Sequence, residues 1–314
     1  MPRLPFVRDL VRSGLRRVLG PPGFDPASAP GDPGLFGPGS ASWRVIGDQA
    51  AIIGGIRALV VQLLHPLAVA GVADHSRFRD DPLGRLHRTS AYVTTTAFGA
   101  TAEALRIAAA VRRAHRRVTG TAPDGRRYRA DDPHLLGWVS LTLTDGFLAA
   151  DRAYARRPVD AATADAFVAE QSRAAALLDP RVDLEALAAD PAALPALRAG
   201  GLELSLLADG VLPVTVAGLR ERLDVYRGEL ALTAAGRDTF AFLRWPPVAL
   251  PLRAVYLPLL AGALATLEPP ERTLLALPPL GPPVQASTRA LLGGLRLASG
   301  GSPAAQAAAA RAAL

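Results

Sequence analysis

The sequence predicts an all-α fold, built as a single multi-helix body behind an irregular N-terminal arm. Half of the residues are apolar, while only 5% are aromatic. Alanine and leucine dominate the apolar set, and both residues lose little rotamer freedom in a helix. Runs of Val, Ile, Tyr and Thr, which favour strands, are scarce. The sequence also shows one helical face directly, because small or apolar residues and one histidine recur at steps of four and three, at positions 104, 108, 111, 115 and 118.

The predicted elements follow one another from the N-terminus. Leu4, Val7, Leu10 and Val11 lie at helical spacing in a basic segment, which predicts a short amphipathic helix. Residues 21–39 are dense in Pro and Gly, so an irregular arm is expected there. Helices are predicted over residues 48–65, 84–96, 98–118, 133–154, 161–178, 184–198, 215–232, 251–267 and 284–298. Gly120 is interpreted as the C-terminal stop of the helix over 98–118.

Three segments result from this division. Residues 1–42 contain the basic helix and the arm, and residues 43–300 form the helical domain. Residues 301–314 are an Ala-rich tail, helical or frayed.

The composition excludes several classes of protein. The chain has no cysteine, which removes disulfides, zinc–thiolate and iron–sulfur sites, thiolate-ligated haem and cysteine nucleophiles. No strand-turn-helix unit carries a Gly-rich phosphate loop, and no nucleic-acid-binding module is present. The net charge of +7 comes with 35 basic residues that are all Arg. Such a charge suits an anionic surface or cofactor group as well as a solvated exterior.

The expected location is the cytoplasm. The apolar segments 51–73 and 247–266 contain charged residues, and the second also has internal prolines, so neither is predicted to span a membrane. The N-terminus lacks the uninterrupted apolar stretch of a secretion signal. Peripheral membrane contact through the basic N-terminal helix stays open.

All five histidines lie between positions 65 and 134, a clustering that a metal or acid–base site would produce. His115 is the most informative of them, because it stands on an apolar face of small side chains. Such a residue is either a hydrogen-bonded core histidine or a ligand. The small alanines on its face leave room for a flat macrocycle, and Arg112, one turn earlier, suits the propionates of haem.

A second constellation surrounds Arg85. Arg85 and Thr89 lie four residues apart and Tyr92 three further on, so one helix face presents a guanidinium, a hydroxyl and a phenol. This face fits a solvated surface, and equally a carboxylate, a phosphate or bound oxygen.

The order of motifs along the chain resembles a known family. The motifs are Gly54-Gly55, Gln62-Leu-Leu-His65-Pro66, His75-Ser76-x-Phe78, Asp81-Pro82, Arg85-Leu-x-Arg88-Thr89, Phe98-Gly99, His115-x-x-Val118-x-Gly120, Asp132-Pro133, Leu136-x-Trp138-Val139 and Trp245-Pro-Pro. Together they resemble the family that unites the bacterial rubber oxygenases (latex-clearing proteins) with the mpaB oxygenase. The resemblance extends over roughly residues 43–280.

This resemblance implies a globin-like helical core that holds haem b and activates dioxygen. His115 matches the proximal iron ligand of the family, and Arg112 matches an arginine of its haem pocket. Arg85 and Thr89 match the Arg and Thr of the family motif, and Arg88 falls where the rubber oxygenases have a distal Lys. The resemblance therefore assigns catalytic roles to Arg85, Arg88 and Thr89, and haem-binding roles to His115, Arg112, Arg85 and Thr89.

The chain departs from the rubber oxygenases at positions that concern the substrate. Arginine keeps its proton and is a poor iron ligand, so Arg88 does not predict a lysine-capped resting state. No glutamate stands where the rubber-cleaving enzymes have their proposed base, and Ser140 replaces a histidine of many relatives. Cleavage of polyisoprene is therefore not expected.

The leading interpretation is a haem b-dependent oxygenase that acts with dioxygen on a small hydrophobic, isoprenoid- or lipid-like substrate. One alternative is a non-haem iron centre of His65, His75 and His115 with Asp74 or Asp132, because two or three imidazoles and a carboxylate suit Fe²⁺. Another is a non-catalytic, membrane-peripheral binding protein. No nucleic-acid partner is expected.

Overall fold

A computed structural model describes residues 13–14, 20–76 and 79–314, and this part of the chain is mostly helical, as the composition predicts. The basic N-terminal helix predicted around Leu4 to Val11 lies outside the described residues. The first helices are α1 (Ala41–Ile46), α2 (Ala50–Gln62), α3 (Pro66–His75), α4 (Pro82–Phe98) and α5 (Thr101–His115). A two-stranded antiparallel sheet of β1 (Thr119–Thr121) and β2 (Arg127–Arg129) separates them from α6 (Pro133–Tyr154) and α7 (Ala161–Ala176).

The second half of the chain is also helical. Its elements are α8 (Leu184–Ala189), α9 (Ala193–Ala199), α10 (Ser205–Ala208), α11 (Val216–Tyr226), a 3₁₀ turn (Arg227–Glu229), α12 (Ala234–Arg244), α13 (Leu250–Leu264), α14 (Pro269–Leu274), α15 (Pro282–Ser299) and α16 (Pro303–Ala312).

Helices α2 and α6 cross in an antiparallel direction at the centre of the core. Gly54 of α2 faces Gly146 and Phe147 of α6, and an added Cβ on Gly54 would lie 2.8 Å from the Cα of Phe147. At the other end of the contact, the Gln62 side chain donates to the backbone oxygen of Val139. The glycines let the two backbones approach closely, which a side chain at either position would prevent.

A buried arginine joins the same two helices. Arg57 of α2 is only 1% exposed and forms ion pairs with Asp145 of α6 (2.5 Å) and Glu271 of α14 (3.3 Å). Its Nε donates to the backbone oxygen of Thr266. A buried cation with several such partners holds three segments in fixed positions, because its removal would leave the carboxylates uncompensated.

The arm and the C-terminal tail pack against each other. Residues 20–40 form turns and bends without a helix. Arg311 of α16 is almost fully buried and donates to the backbone oxygens of Asp32 and Phe98. The Asp32 carboxylate in turn accepts from the backbone and the hydroxyl of Thr101 at the start of α5. The tail is therefore a docked helix.

The structure corrects several predicted boundaries. The helix predicted over 98–118 ends at His115, and Gly120 lies in strand β1 against Tyr128 of β2 instead of stopping the helix. The helix predicted over 184–198 breaks between α8 and α9 because Pro191 forces Asp190 into an extended conformation. The helix predicted over 215–232 ends at Tyr226.

No single helix in the described part of the chain is long and apolar enough to cross a membrane. Helices α2 and α3 reach the required length and composition only as a pair, and that pair is bent by 102°.

Candidate functional site

His115 is the last residue of α5, at the edge of an apolar cluster. Ala104 and Ala108, on the same face of the helix, are fully buried against protein. The Nδ1 atom of His115 is sealed from solvent and has no hydrogen-bonding partner among the described residues. Burial lowers the pKa of His115, against an opposing effect of the Asp131 carboxylate. The imidazole is therefore held in its neutral form.

Arg112 lies one turn before His115 and is anchored to the end of α7. Its Nε donates to the backbone oxygen of Leu177 (2.7 Å), and its Nη1 donates to that of Val182 (2.6 Å). The third nitrogen, Nη2, is buried without a partner in the described structure. A buried guanidinium nitrogen of this kind is a donor available to an acceptor that the protein itself does not supply.

Arg85 and Thr89 lie on one face of α4, as the sequence predicts. The Arg85 guanidinium donates to the hydroxyl of Ser76 at the end of α3 (2.7 Å). Burial, with a smaller effect of Arg88, lowers the pKa of Arg85. The Thr89 hydroxyl donates to the backbone oxygen of Arg85, one turn earlier. The opposite face of α4 contacts the arm, where Gly20 lies against the His87 ring.

Arg88 does not join this pair. Its side chain is 66% exposed and forms a long contact of 3.5 Å with Asp81, the residue that caps α4. Tyr92 continues the Arg85 face, and burial raises its pKa well above the usual value. Tyr92 and Val111, which precedes His115 by one turn, pack against the same apolar cluster. The Arg85 face of α4 and the His115 face of α5 therefore border one core.

The residues named in the non-haem alternative have other contacts. His75 lies at the end of α3 and its Nε2 is 3.0 Å from the backbone oxygen of Thr119. Asp74 accepts a short hydrogen bond from Tyr128. Asp132 caps α6 by accepting from the backbone of His134. The structure does not bring His65, His75 and His115 together as a donor set within the described residues.

A different set of donors converges around Glu229. The Oε2 atom of Glu229 lies 3.0 Å from Nε2 of His134 and 3.3 Å from Nε2 of His65. All three donor atoms lie within 4.8 Å of one another, and they form the only such three-residue group that the described part of the chain contains. His65 is fully buried, whereas the side chains of His134 and Glu229 are 40% and 32% exposed.

Local structure explains why these three segments meet. His65 is the N-cap of α3, where its Nδ1 accepts from the backbone of Ala68 at 3.4 Å. His134 lies in the first turn of α6, which Asp132 caps. The backbone of Ala231, two residues after Glu229, donates to the oxygen of Leu64 (2.8 Å) and so brings Glu229 beside His65.

Aromatic rings enclose the cluster on one side. Tyr226 stacks on the His134 ring with centroids 4.4 Å apart, and its hydroxyl donates to the backbone oxygen of His134. Trp138 lies against the His65 and Tyr226 rings. These contacts fix the planes of both imidazoles.

Burial lowers the pKa of His65, although the Glu229 carboxylate opposes this effect. Burial alone would raise the pKa of Glu229, but its hydrogen bond with His134 and its charge interactions with His134 and His65 bring it below its usual value. At neutral pH the cluster therefore contains an ionised carboxylate beside a neutral buried imidazole.

Sequence reasoning did not single out Glu229, and it treated His134 only as one member of the histidine cluster. No local spacing connects them, because Glu229 lies 95 residues after His134. The one signal in the sequence was the concentration of histidines itself.

A sequence model of one protein family, described as "ER-bound oxygenase mpaB/B'/Rubber oxygenase, catalytic domain", matches residues 43–297. No curated protein and no solved structure matches the chain. The match begins at Trp43 in α1 and ends within α15, so it includes both the His115 region and the Glu229 cluster. The chain therefore belongs to the mpaB and rubber oxygenase family and contains the oxygenase catalytic domain of that family.

Proposed function

We propose that this protein is a haem b-dependent oxygenase that uses dioxygen to oxidise a small hydrophobic molecule, with His115 as the iron ligand in a globin-like helical core. The observation that carries the proposal is the imidazole of His115, which has a sealed nitrogen without a protein partner in an oxygenase domain. An unpaired buried polar atom is rare in native proteins and calls for an explanation.

The side chains around His115 fit a haem group by their chemistry. A metal-bound histidine must be neutral, and burial favours that form of His115. The Nη2 atom of Arg112 suits an anionic propionate, while the other nitrogens of the same guanidinium fix the side chain to the segment that follows α7. Ala104 and Ala108 are packed against protein, so the space for a macrocycle is not beside them. We therefore assign it to the His115 end of the helix face.

When bound, haem would supply the iron at which dioxygen is activated. The chain itself would contribute positive charge and hydrogen-bond donors from the Arg85 face of α4. Ser76 holds the Arg85 guanidinium in place, and desolvation would strengthen the field that this cation exerts on negative charge that develops in the reaction. Thr89 binds its own helix backbone, so its hydroxyl oxygen remains as an acceptor.

Arg88 is assigned a lesser role. Its exposed side chain and its contact with Asp81 place its charge at the surface. We propose that it tunes the field around Arg85 without contacting the reacting atoms. The chain lacks the features of the rubber-cleaving enzymes noted above, so the proposed substrate is a small hydrophobic molecule and not polyisoprene.

An absorption spectrum of the purified protein, oxidised and dithionite-reduced, tests the proposal. After expression with haem supply, we expect a Soret band in the wild type and in a His75→Asn control. We expect His115→Ala to lose the Soret band while its helical circular dichroism stays unchanged, because the Nδ1 atom of His115 has no protein partner to lose and alanine is a good helix former. Stoichiometric haem in His115→Ala would contradict the ligand assignment, and a wild type without haem would contradict the proposed function.

A further inference from the structure

We propose that His65, His134 and Glu229 bind one divalent transition-metal ion, at a site that does not include His115. The donors would be Nε2 of each imidazole and Oε2 of the carboxylate. No role for this cluster follows from the proposed haem site, because its residues are different.

The distances fit the edges of a coordination polyhedron. For metal–ligand bonds of about 2.1 Å, neighbouring donor atoms stand about 3.0 Å apart at a right angle and about 3.4 Å apart at a tetrahedral angle. The two separations that involve Glu229 are 3.0 and 3.3 Å. The two imidazole nitrogens lie within 4.8 Å of each other. A small movement of the partly exposed His134 ring would bring them to the distance of two ligands on one ion.

The backbone fixes the site independently of any ion. The hydrogen bond from the backbone of Ala231 to the oxygen of Leu64 fixes the position of Glu229. The hydrogen bond from the Tyr226 hydroxyl to the backbone oxygen of His134 fixes the start of α6. Donors that are already in position lose little conformational freedom on binding, which favours affinity.

The donor set selects a class of ion. Two imidazoles with one carboxylate suit Zn²⁺, Fe²⁺ or Co²⁺, whereas Mg²⁺ and Ca²⁺ prefer oxygen donors. Three protein ligands leave at least one coordination position for water. Because the side chains of His134 and Glu229 are partly exposed, solvent can reach that position.

One hydrogen bond of His65 opposes metal binding and limits the affinity of the site for the ion. The Nδ1 atom of His65 accepts from the backbone of Ala68, so it holds a lone pair when the cluster is free. An ion on Nε2 requires the proton to move to Nδ1 and breaks this contact. The contact is long at 3.4 Å and therefore weak, whereas Glu229 offers a full negative charge to the ion.

Titration calorimetry of the full-length protein with Zn²⁺ alone tests the proposal. The protein carries no polyhistidine tag and is first dialysed against EDTA, which removes loosely bound metals and leaves haem in place. We expect one Zn²⁺ per chain and a higher Tm in its presence, because an ion that binds only the folded state stabilises it. Mg²⁺ at the same concentration is expected to have no effect.

Glu229→Gln and His134→Ala are the test variants, because both side chains are partly exposed, whereas His65 is fully buried and caps α3. Loss of an outer partner of a metal ligand typically lowers affinity 10- to 100-fold, so loss of a direct ligand should lower it by more than about 100-fold. His75→Asn is the control for a histidine outside the cluster, and it should bind Zn²⁺ as the wild type does. Circular dichroism checks the fold of each variant.

The results separate this proposal from the haem proposal. His115→Ala should keep Zn²⁺ binding even when it loses the Soret band, and His134→Ala should keep the Soret band. A wild type that binds no Zn²⁺ would overturn the metal site. Binding that Glu229→Gln and His134→Ala leave unchanged would also overturn it, and the cluster would then be a hydrogen-bonded structural group.

Discussion

Replacing Gly54 with alanine would insert a Cβ between helices α2 and α6, at the crossing in the centre of the core. The added atom would lie 2.8 Å from both the Cα and a ring carbon of Phe147, and 2.9 Å from the backbone oxygen of Gly146. Two of these three neighbours are backbone atoms, which cannot rotate away. The two helices would therefore have to separate. The adjacent Gly55 offers a matched control, because a Cβ there would meet no atom within 4 Å.

The two substitutions should have effects of opposite sign on the free energy of unfolding. Alanine is favoured over glycine in a helix interior by about 1 kcal/mol, and both positions gain this amount. Overpacking of a well-filled core costs about 1–3 kcal/mol, and the rigid neighbours of Gly54 favour the upper value. We expect Gly54→Ala to be less stable by about 2 kcal/mol and Gly55→Ala to be more stable by about 1 kcal/mol.

Urea unfolding followed by circular dichroism measures both differences, provided that the slope with urea is unchanged between the variants. In thermal unfolding, Tm should shift by about 2 °C for each kcal/mol of change in the free energy of unfolding in a chain of this size. Equal stabilities of Gly54→Ala and Gly55→Ala would show that the helices do not approach as closely as described. A stabilised Gly54→Ala would refute the overpacking argument outright.

Two further predictions concern charged groups. Burial alone would raise the pKa of Asp32, but hydrogen bonds from Gly34 and Thr101 lower it below the ordinary 3.8. The ionised carboxylate therefore stabilises the fold above pH 3.8, and this contribution is lost as the pH falls through the lowered pKa. Asp32→Asn should lack this contribution, so its free energy of unfolding should fall less steeply than that of the wild type below about pH 4. Urea unfolding across pH 3–7 measures the difference. Arg57→Met should destabilise the fold by about 3 kcal/mol, because Asp145 and Glu271 would keep their charge without a cation; a change under about 1 kcal/mol in the same assay would contradict the buried ion network.

Helices with strong boundary signals were predicted well from the sequence. Helix α6 spans Pro133–Tyr154, as predicted, because Asp132 provides an N-cap and Pro133 suits the first helical position. Helix α3 was missed because His65 acts as its N-cap, a role that sequence rules give to Ser, Thr, Asp and Asn. The hairpin of β1 and β2 was missed because each strand has only three residues, too few for a periodic pattern.

The candidate sites differ in how far the sequence could predict them. The family was identified from ordered local motifs, and the family match over residues 43–297 confirms it. The common face of Arg85 and Thr89 followed from helical spacing alone. The exposure of Arg88 did not, because helical spacing alone does not show that its side chain lies at the surface beside Asp81. The grouping around Glu229 depends on tertiary contacts that no periodicity encodes.

The antiparallel crossing of α2 and α6 explains how the distant histidines of this cluster meet. His65 follows the C-terminal end of α2, and His134 lies at the N-terminal end of α6, so the crossing brings the two ends together. Glu229 is held beside His65 by a backbone hydrogen bond from Ala231 to Leu64, and not by its own side chain. The positions of the three donors are therefore set by the backbone, and removing the charge of Glu229 should leave both imidazoles where they are. For that reason a loss of Zn²⁺ affinity in Glu229→Gln, with stability retained, would report on the donor atom itself and not on the fold around it.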